Sequence, residues 1–232
     1  MKRFPRLSPK QRLRRFWEED RGLSVLLGFI LLIAFVIAPL AESRAGGGTA
    51  LRACVTILFA YGAYVLSERR AARTAILLVA AVPIVLAWLE PFHAGIASSA
   101  AAAAAACLFG LLLSGLVIQR VFREGPITVH RVVGSIVVYL LLGIAFGEAA
   151  RFVAILDPGA YTSGTFSRID RPELYYFSLV TLTTVGYGDI TALHPAARSL
   201  AVLEALTGQL FPAILIARLV SQELMSRESR KG

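Results

Sequence analysis

The stretch Glu173–Asp189 reads ELYYFSLVTLTTVGYGD and lies between two long apolar blocks of the chain. Just before it stand Asp170 and Pro172, residue types that commonly begin helices. The following dozen residues predict a short helix over 172–183. The surrounding segment Leu156–Pro195 is too polar for a membrane crossing, but irregular backbone is tolerated at membrane depth where protein buries it or it lines a water-filled path. We therefore predict a short re-entrant helix followed by an extended loop.

The composition of the chain excludes a soluble enzyme with one globular core. Of its 232 residues 56% are hydrophobic and 17% are charged, whereas a soluble domain carries about 25% charged residues. Lys and Arg number 24 against 15 Asp and Glu, and the basic residues lie beside apolar blocks. This placement fits a membrane surface better than nucleic acid. Cys54 and Cys107 lie inside apolar blocks and are interpreted as buried free thiols.

Six apolar blocks approach the roughly 20 residues that a helix needs to cross the hydrocarbon core. They are Gly22–Ala41, Ala50–Leu66, Ala72–Leu89, Ala94–Gln119, Val132–Ala154 and Ser199–Ile216. We predict an all-α integral membrane protein with six transmembrane helices and the re-entrant segment between the last two. A signal peptide is the competing interpretation of the first block, but that block is longer than the usual apolar core of about 7–15 residues.

The loop that follows the short helix has the composition needed to bind a dehydrated cation through its backbone. Successive carbonyl groups can point to one axis only if residues with φ > 0 alternate with ordinary ones, and glycine adopts φ > 0 without steric penalty. Gly186 and Gly188 are spaced by one residue, and Val185 and Tyr187 are expected to pack outward and hold the loop rigid. The carboxyl end of the preceding helix carries partial negative charge, which also favours a cation.

The run Thr184–Asp189, TVGYGD, resembles the selectivity filter of potassium channels, in which four such loops form the pore. The resemblance covers roughly residues 130–225. It implies that K⁺ is bound by the carbonyls of Thr184, Val185, Gly186 and Tyr187 and by the Thr184 hydroxyl, with Gly188 completing the filter.

The same resemblance implies a supporting set around the filter. Asp189 is expected at the outer mouth, with Tyr176 as its hydrogen-bond donor where many relatives have Trp, and Thr183 is expected to support the filter from its inner side. Val180 stands where some relatives have Glu. Because one chain supplies one filter strand, four copies are needed, and we predict a closed homotetramer.

Four segments follow from this assignment: a basic cytoplasmic N-terminus (1–21), a four-helix peripheral membrane domain (22–125), a pore domain (126–222) and a short cytoplasmic tail (223–232). With six spans, 18 of the Lys and Arg residues, those of both terminal segments included, fall on the side of the N-terminus, and 6 fall on the other side. Basic residues concentrate on the cytoplasmic side, so both termini are predicted to be cytoplasmic in a multi-pass protein of the cell membrane. The basic N-terminus is interpreted as an anchor on anionic lipid headgroups, with a regulatory arm as the alternative.

Six spans with the pore between the last two also resemble the architecture of voltage-gated cation channels, where the fourth helix carries several Arg. Here no Lys or Arg occurs between Ala94 and Ile118. One charge that crosses 100 mV contributes only about 2.3 kcal/mol, so several are needed for steep voltage dependence. The sequence therefore predicts a channel that is not voltage-gated.

Three residues of the sixth span are candidates for gating or regulation. Gly208 lies 19 residues after Asp189, a spacing that resembles the hinge glycine of the family, although close helix packing explains a membrane glycine equally well. Pro212 is a second candidate bend. Glu204 has no local partner and is expected to contact the back of the pore helix, either as a pH sensor or as a structural contact. Glu148 is expected to pair with Arg151 near the outer surface.

The sequence thus predicts a potassium channel, not an enzyme, with K⁺ as the permeant ion and no cofactor. Two alternatives stay open: a cation channel with poor discrimination between K⁺ and Na⁺, and a non-conducting membrane scaffold that keeps the motif. A further hypothesis is that the first four spans bind a ligand that gates the pore.

Overall fold

A computed structural model describes residues 23–37, 47–65, 70–92, 95–122, 129–166 and 168–228 of the chain. The predicted basic N-terminus, 1–21, lies outside the described residues. The molecule is mostly helical, as the sequence predicts. The described residues form seven helices, in chain order α1 (Leu23–Ile37, π-helical over Ile33–Ile37), α2 (Gly47–Val65), α3 (Arg70–Leu89), α4 (Ile96–Val121), α5 (Val129–Leu156), α6 (Arg171–Leu182) and α7 (Pro195–Glu228).

Three of these helices contain segments that are long and apolar enough to cross a membrane, namely Ile96–Val121, Arg131–Leu156 and Pro195–Arg218. They correspond to the last three predicted spans. The first three spans correspond within the described residues to shorter apolar helices, over Leu23–Ile37, Arg52–Val65 and Thr74–Leu89. Six crossings therefore remain a prediction, and three helices of spanning length are observed.

The main core lies where α4 packs along α5, and the two helices approach closely because small residues face each other. A Cβ added to Gly110 of α4 would lie 3.2 Å from the Cβ of Ala145 in α5. Leu113 is fully buried in this core, and the rings of Phe59 (α2) and Phe109 (α4) meet edge to face at 4.9 Å. The peripheral helices are thus joined to the fifth helix of their own chain by side-chain packing.

The mostly helical structure is consistent with the predicted all-α class, and the described part of the chain also contains two strands of three residues each. β1 (Tyr161–Ser163) pairs antiparallel with β2 (Ile190–Ala192), with Thr162 opposite Thr191. Backbone groups of the segments after α5 and after the loop 184–189 are satisfied by pairing with each other. A second core holds this pair against α6, where the rings of Tyr161 and Phe177 pack edge to face at 5.4 Å.

The last helix, α7, is 34 residues long and contains Pro212 in its interior. The helix continues to Glu228, whereas we predict that the pore domain ends at residue 222. The polar residues that follow position 222 are compatible with a helix. Many of its large apolar side chains are exposed in the single chain: Val202, Leu203, Leu206, Leu210, Ile214 and Ile216.

Candidate functional site

Helix α6 brings the site residues to one end of the core and begins where the sequence indicates. Asp170 is its N-cap, Pro172 lies in its first turn, and the Asp170 N–H donates to Glu173 Oε2 at 2.9 Å, one half of a capping box. The helix runs from Arg171 to Leu182, one residue earlier at each end than predicted. Thr183 is the C-cap, and its hydroxyl donates to the carbonyl of Leu179 at 2.7 Å.

The loop that follows α6 has positive φ at every second residue. The φ angles are +59° at Thr184, +57° at Gly186 and +77° at Gly188. This alternation is what a loop needs if its carbonyl groups are to share one side. The Val180 carbonyl in α6 accepts the N–H groups of Val185 at 3.0 Å and of Gly186 at 3.3 Å, and this fixes the inner part of the loop on the helix end.

The sequence analysis includes Thr184 in the site, but it does not predict the positive φ of this residue. A β-branched residue in the left-handed region is strained, at a cost of about 1–2 kcal/mol, so the argument from glycine alone could not place it there. Its hydroxyl accepts a hydrogen bond from Gln209 Nε2 of α7 at 3.1 Å. The resemblance to TVGYGD was the signal that included Thr184 in the site.

Val185 and Tyr187, the two side chains that were expected to pack outward, are exposed in the single chain. Val185 is 53% exposed and Tyr187 is 72% exposed. The chain alone therefore does not enclose the outer surface of the loop, and any cover for these two side chains must come from beyond it.

Asp189 is held against α6 by the predicted donor. The Tyr176 hydroxyl donates to Asp189 Oδ2 at 2.7 Å, and Asp189 Oδ1 accepts the N–H of Ile190 at 3.1 Å. The hydrogen bond to the Asp189 carboxylate raises the pKa of Tyr176, so the phenol keeps its proton at neutral pH. The loop end is thus tied to the helix that precedes the loop.

The Asp189 backbone is held from the other side by a residue that the sequence did not indicate. Ser163 Oγ of β1 donates to the Asp189 carbonyl at 2.7 Å and accepts the N–H groups of Thr165 and Phe166, each at 3.0 Å. The Phe166 ring lies 6.3 Å from that of Tyr176. Strands of three residues leave almost no periodicity in a sequence, which is why this contact was missed.

Gly208 lies at the closest approach of α7 to α6. A Cβ added there would be 1.8 Å from the Leu182 carbonyl oxygen, which also accepts the hydroxyl of Tyr139 at 2.9 Å. This supports close packing as the reason for glycine at 208. The hinge function of Gly208 and of Pro212 remains a prediction.

Glu204 contacts the back of α6, as predicted. Glu204 Oε1 lies 2.5 Å from Ser178 Oγ, which is also 2.7 Å from the Gly143 carbonyl of α5. Both side chains are buried, with Glu204 1% and Ser178 0% exposed. The Ser178 hydroxyl of α6 therefore makes one polar contact with α5 and one with α7.

Glu148 is buried at the centre of a larger polar cluster than the predicted pair with Arg151. That pair is confirmed, with Arg151 Nη1 3.3 Å from Glu148 Oε2. Arg171 and the Tyr175 hydroxyl at the start of α6 also donate to Glu148 Oε1. Arg151 forms a second ion pair with Glu90, which directly follows α3. The cluster joins α3, α5 and α6 by charged contacts.

The basic residues near the end of α4 have local structural partners. Arg120 Nη1 donates to the Val65 carbonyl at the end of α2, at 3.2 Å. Arg218 of α7 donates to the Phe122 carbonyl at 2.7 Å, and its guanidinium lies 4.5 Å from the Phe122 ring. Arg218, in the last third of α7, is therefore bound directly to the residue that follows α4.

A family model matches the region that contains this site, and parts of the chain are similar to curated proteins. A family model described as "Ion channel" matches residues 127–223. "Two pore potassium channel c" of Oryza sativa subsp. japonica is 37% identical over 90 residues, which are 39% of this chain and 18% of that protein. "Potassium voltage-gated channel subfamily A member 10" of Mus musculus is 30% identical over 113 residues, which are 48% of this chain and 19% of that protein. No solved structure gives a significant match.

The chain spans about a fifth of the length of these curated relatives. They are ion channels, not enzymes. The similarity confirms the resemblance that TVGYGD suggested.

Proposed function

We propose that this protein conducts K⁺ passively across a membrane, since residues 127–223 match a family model described as "Ion channel" and part of the chain is similar to potassium channels. The ion passes through the filter 184–188, where the carbonyls of Thr184, Val185, Gly186 and Tyr187 replace its hydration shell. No cofactor takes part in this step. The observation that carries the proposal is the alternation of positive φ at residues 184, 186 and 188 at the end of a short helix.

The proposed pore is a homotetramer, since one chain supplies one filter strand. Two features support this assembly. Val185 and Tyr187 are exposed in the single chain, and the apolar side chains of α7 form an exposed row that neighbouring copies can cover. Neighbouring copies around a fourfold axis would cover both surfaces with the same apolar chemistry.

The proposed channel lies in the cell membrane with both termini cytoplasmic and with the basic N-terminus on anionic lipid headgroups. It is not voltage-gated, because α4 carries no Lys or Arg before Arg120 and Arg120 is bound to the end of α2. Glu204 is the candidate regulatory residue, as a pH sensor or a structural contact, and Gly208 and Pro212 are the candidate hinge positions.

Current through a planar bilayer that contains the purified protein tests this function. We expect a reversal potential close to that of K⁺ in mixed K⁺ and Na⁺ solutions, with open probability nearly independent of voltage. Gly186→Ala should abolish the selective current, since a Cβ at φ +57° is strained even though open space surrounds the position. Gly164→Ala is the matched control, because this loop glycine has open space and no positive φ, and it should keep the current.

The other outcomes identify the alternatives. A reversal potential midway between those of K⁺ and Na⁺ would indicate a non-selective cation channel. Steep voltage dependence would show that the peripheral helices sense voltage after all. A folded tetramer without current under any voltage or pH would favour the scaffold.

A further inference from the structure

The strand pair β1–β2 lies directly beside the end of the filter loop. Residue 163 of β1 is opposite Ile190, which follows Asp189. The pairing continues beyond the strands, because the Ala160 carbonyl accepts the N–H of Leu193 at 2.8 Å. The segment before α6 and the segment after the loop are therefore joined to each other by backbone hydrogen bonds and form one structural unit.

Within this unit the Ser163 hydroxyl uses its full hydrogen-bonding capacity. It donates its one proton to the Asp189 carbonyl and accepts two backbone N–H groups, of Thr165 and Phe166. A hydroxyl with three backbone partners has little freedom to turn away. The Asp189 carbonyl is thus fixed by β1, while its carboxylate is fixed by Tyr176 of α6.

Asp189 is thus bound at two groups by two elements: its carbonyl by Ser163 of β1 and its carboxylate by Tyr176 of α6. The Asp189 carboxylate also accepts the N–H of Ile190, the residue paired with position 163, whereas the Ser163 hydroxyl acts on the Asp189 carbonyl itself. Gly188, with φ +77°, immediately precedes Asp189 and supplies no side chain to resist a flip of the peptide. The contact with Ser163 therefore adds a direct restraint on the backbone at the outer end of the loop.

We propose that Ser163 is a positioning residue for the outer end of the filter, and that the β1–β2 pair holds the loop in its ion-binding conformation. This inference rests on the proposed function. It assigns to the segment between α5 and α6 a direct part in K⁺ selectivity, in addition to its part as a connection between helices.

Hydrogen–deuterium exchange of the full chain in lipid nanodiscs tests the inference, with K⁺ replacing Na⁺ at constant total salt. In the wild type, exchange of a peptide that covers residues 184–190 should slow as K⁺ rises. In Ser163→Ala the K⁺ concentration at half-protection should rise about fivefold, the equilibrium effect expected from one lost hydrogen bond. Ser163→Thr keeps the hydroxyl at a strand position and should restore the wild-type midpoint. Thr162→Ala removes an exposed side chain from the other face of the same strand and should change the K⁺ concentration at half-protection less than twofold.

An unchanged midpoint in Ser163→Ala overturns the inference, and so does an equal shift in Thr162→Ala, which would indicate general loosening of the strand. If exchange in the wild type does not respond to K⁺, the proposed function is wrong. The positioning role of Ser163 is then tested by exchange in Na⁺ alone. Faster exchange in Ser163→Ala that is confined to residues 184–190 and is reversed by Ser163→Thr supports this role. Unchanged exchange in Ser163→Ala overturns it.

Discussion

Thr184 and Asp189 stand at opposite ends of one loop, and each is held by side chains from other elements. Gln209 of α7 reaches Thr184, while Tyr176 of α6 reaches Asp189. Thr184 stores backbone strain at φ +59°, and strain of this kind persists only where the surroundings determine the conformation. The residues around the loop are therefore as important to its shape as the glycines inside it.

We expect Tyr176→Phe to shorten the conducting state, because it removes the donor to the Asp189 carboxylate. Under constant voltage the current should decay roughly three- to tenfold faster, the kinetic equivalent of one hydrogen bond. Tyr176→Trp, which can restore an N–H donor, is the control. The hydrogen bond to Asp189 raises the pKa of Tyr176 above the ordinary tyrosine value of about 10, so alkaline loss of the phenol proton, and of this contact, is shifted to stronger alkali. Decay that is unaffected in the Phe variant would contradict this role of the hydrogen bond.

At the scale of helices, the contact between α6 and α7 is made possible by one missing side chain. Gly208→Ala would bring a Cβ within 1.8 Å of the Leu182 carbonyl oxygen, so a helix must move. We expect a loss of about 1–3 kcal/mol in stability, measured as a lower midpoint of thermal unfolding in detergent. Gly115→Ala in α4 is the matched control, since nothing lies within 4 Å of the added Cβ.

An unchanged midpoint in Gly208→Ala would mean that α7 can separate from α6 at little cost, and it would restore the hinge interpretation. A fall of equal size in Gly115→Ala would indicate that helical glycines in this protein are sensitive for reasons other than close packing.

The elements that the sequence predicted well have strong local signals. Asp170 and Pro172 identify the start of α6, and Gly186 and Gly188 identify two of the three positive φ positions. The elements it missed depend on partners far away in the chain. The β1–β2 pair joins residues about 30 positions apart, and short strands have no periodicity to detect.

The same distinction applies to the polar clusters. The contact of Glu148 with Arg151 was predictable, because residues three apart share a helix face. The contacts of Glu148 with Arg171 and Tyr175 cross from α5 to α6 and follow only from the packing of those helices. Likewise, Glu204 was expected to reach α6, but nothing local indicated Ser178 as its partner.

For the whole molecule we expect native mass spectrometry from lipid nanodiscs to give about four times the chain mass of 25.0 kDa. Substitution of Leu206 in the exposed row of α7 by Lys should shift the mass toward the single chain, since a charge there would be buried between copies. Leu78→Lys is the control: this exposed residue of α3 lies outside the proposed interface and should leave the assembly intact. A wild-type mass of one or two chains would contradict the proposed pore.

The cluster around Glu148 has a consequence for how the molecule responds to ionic strength. Mobile ions screen exposed charges over a Debye length of about 8 Å at 0.15 M salt, but they reach buried pairs much less. The Glu148 side chain is 1% exposed, and Arg151 and Arg171 are 12% and 16% exposed. Concentrated electrolyte should therefore change the supply of ions at the mouth of the proposed pore while the attachment of α3 and α5 to α6 keeps its strength.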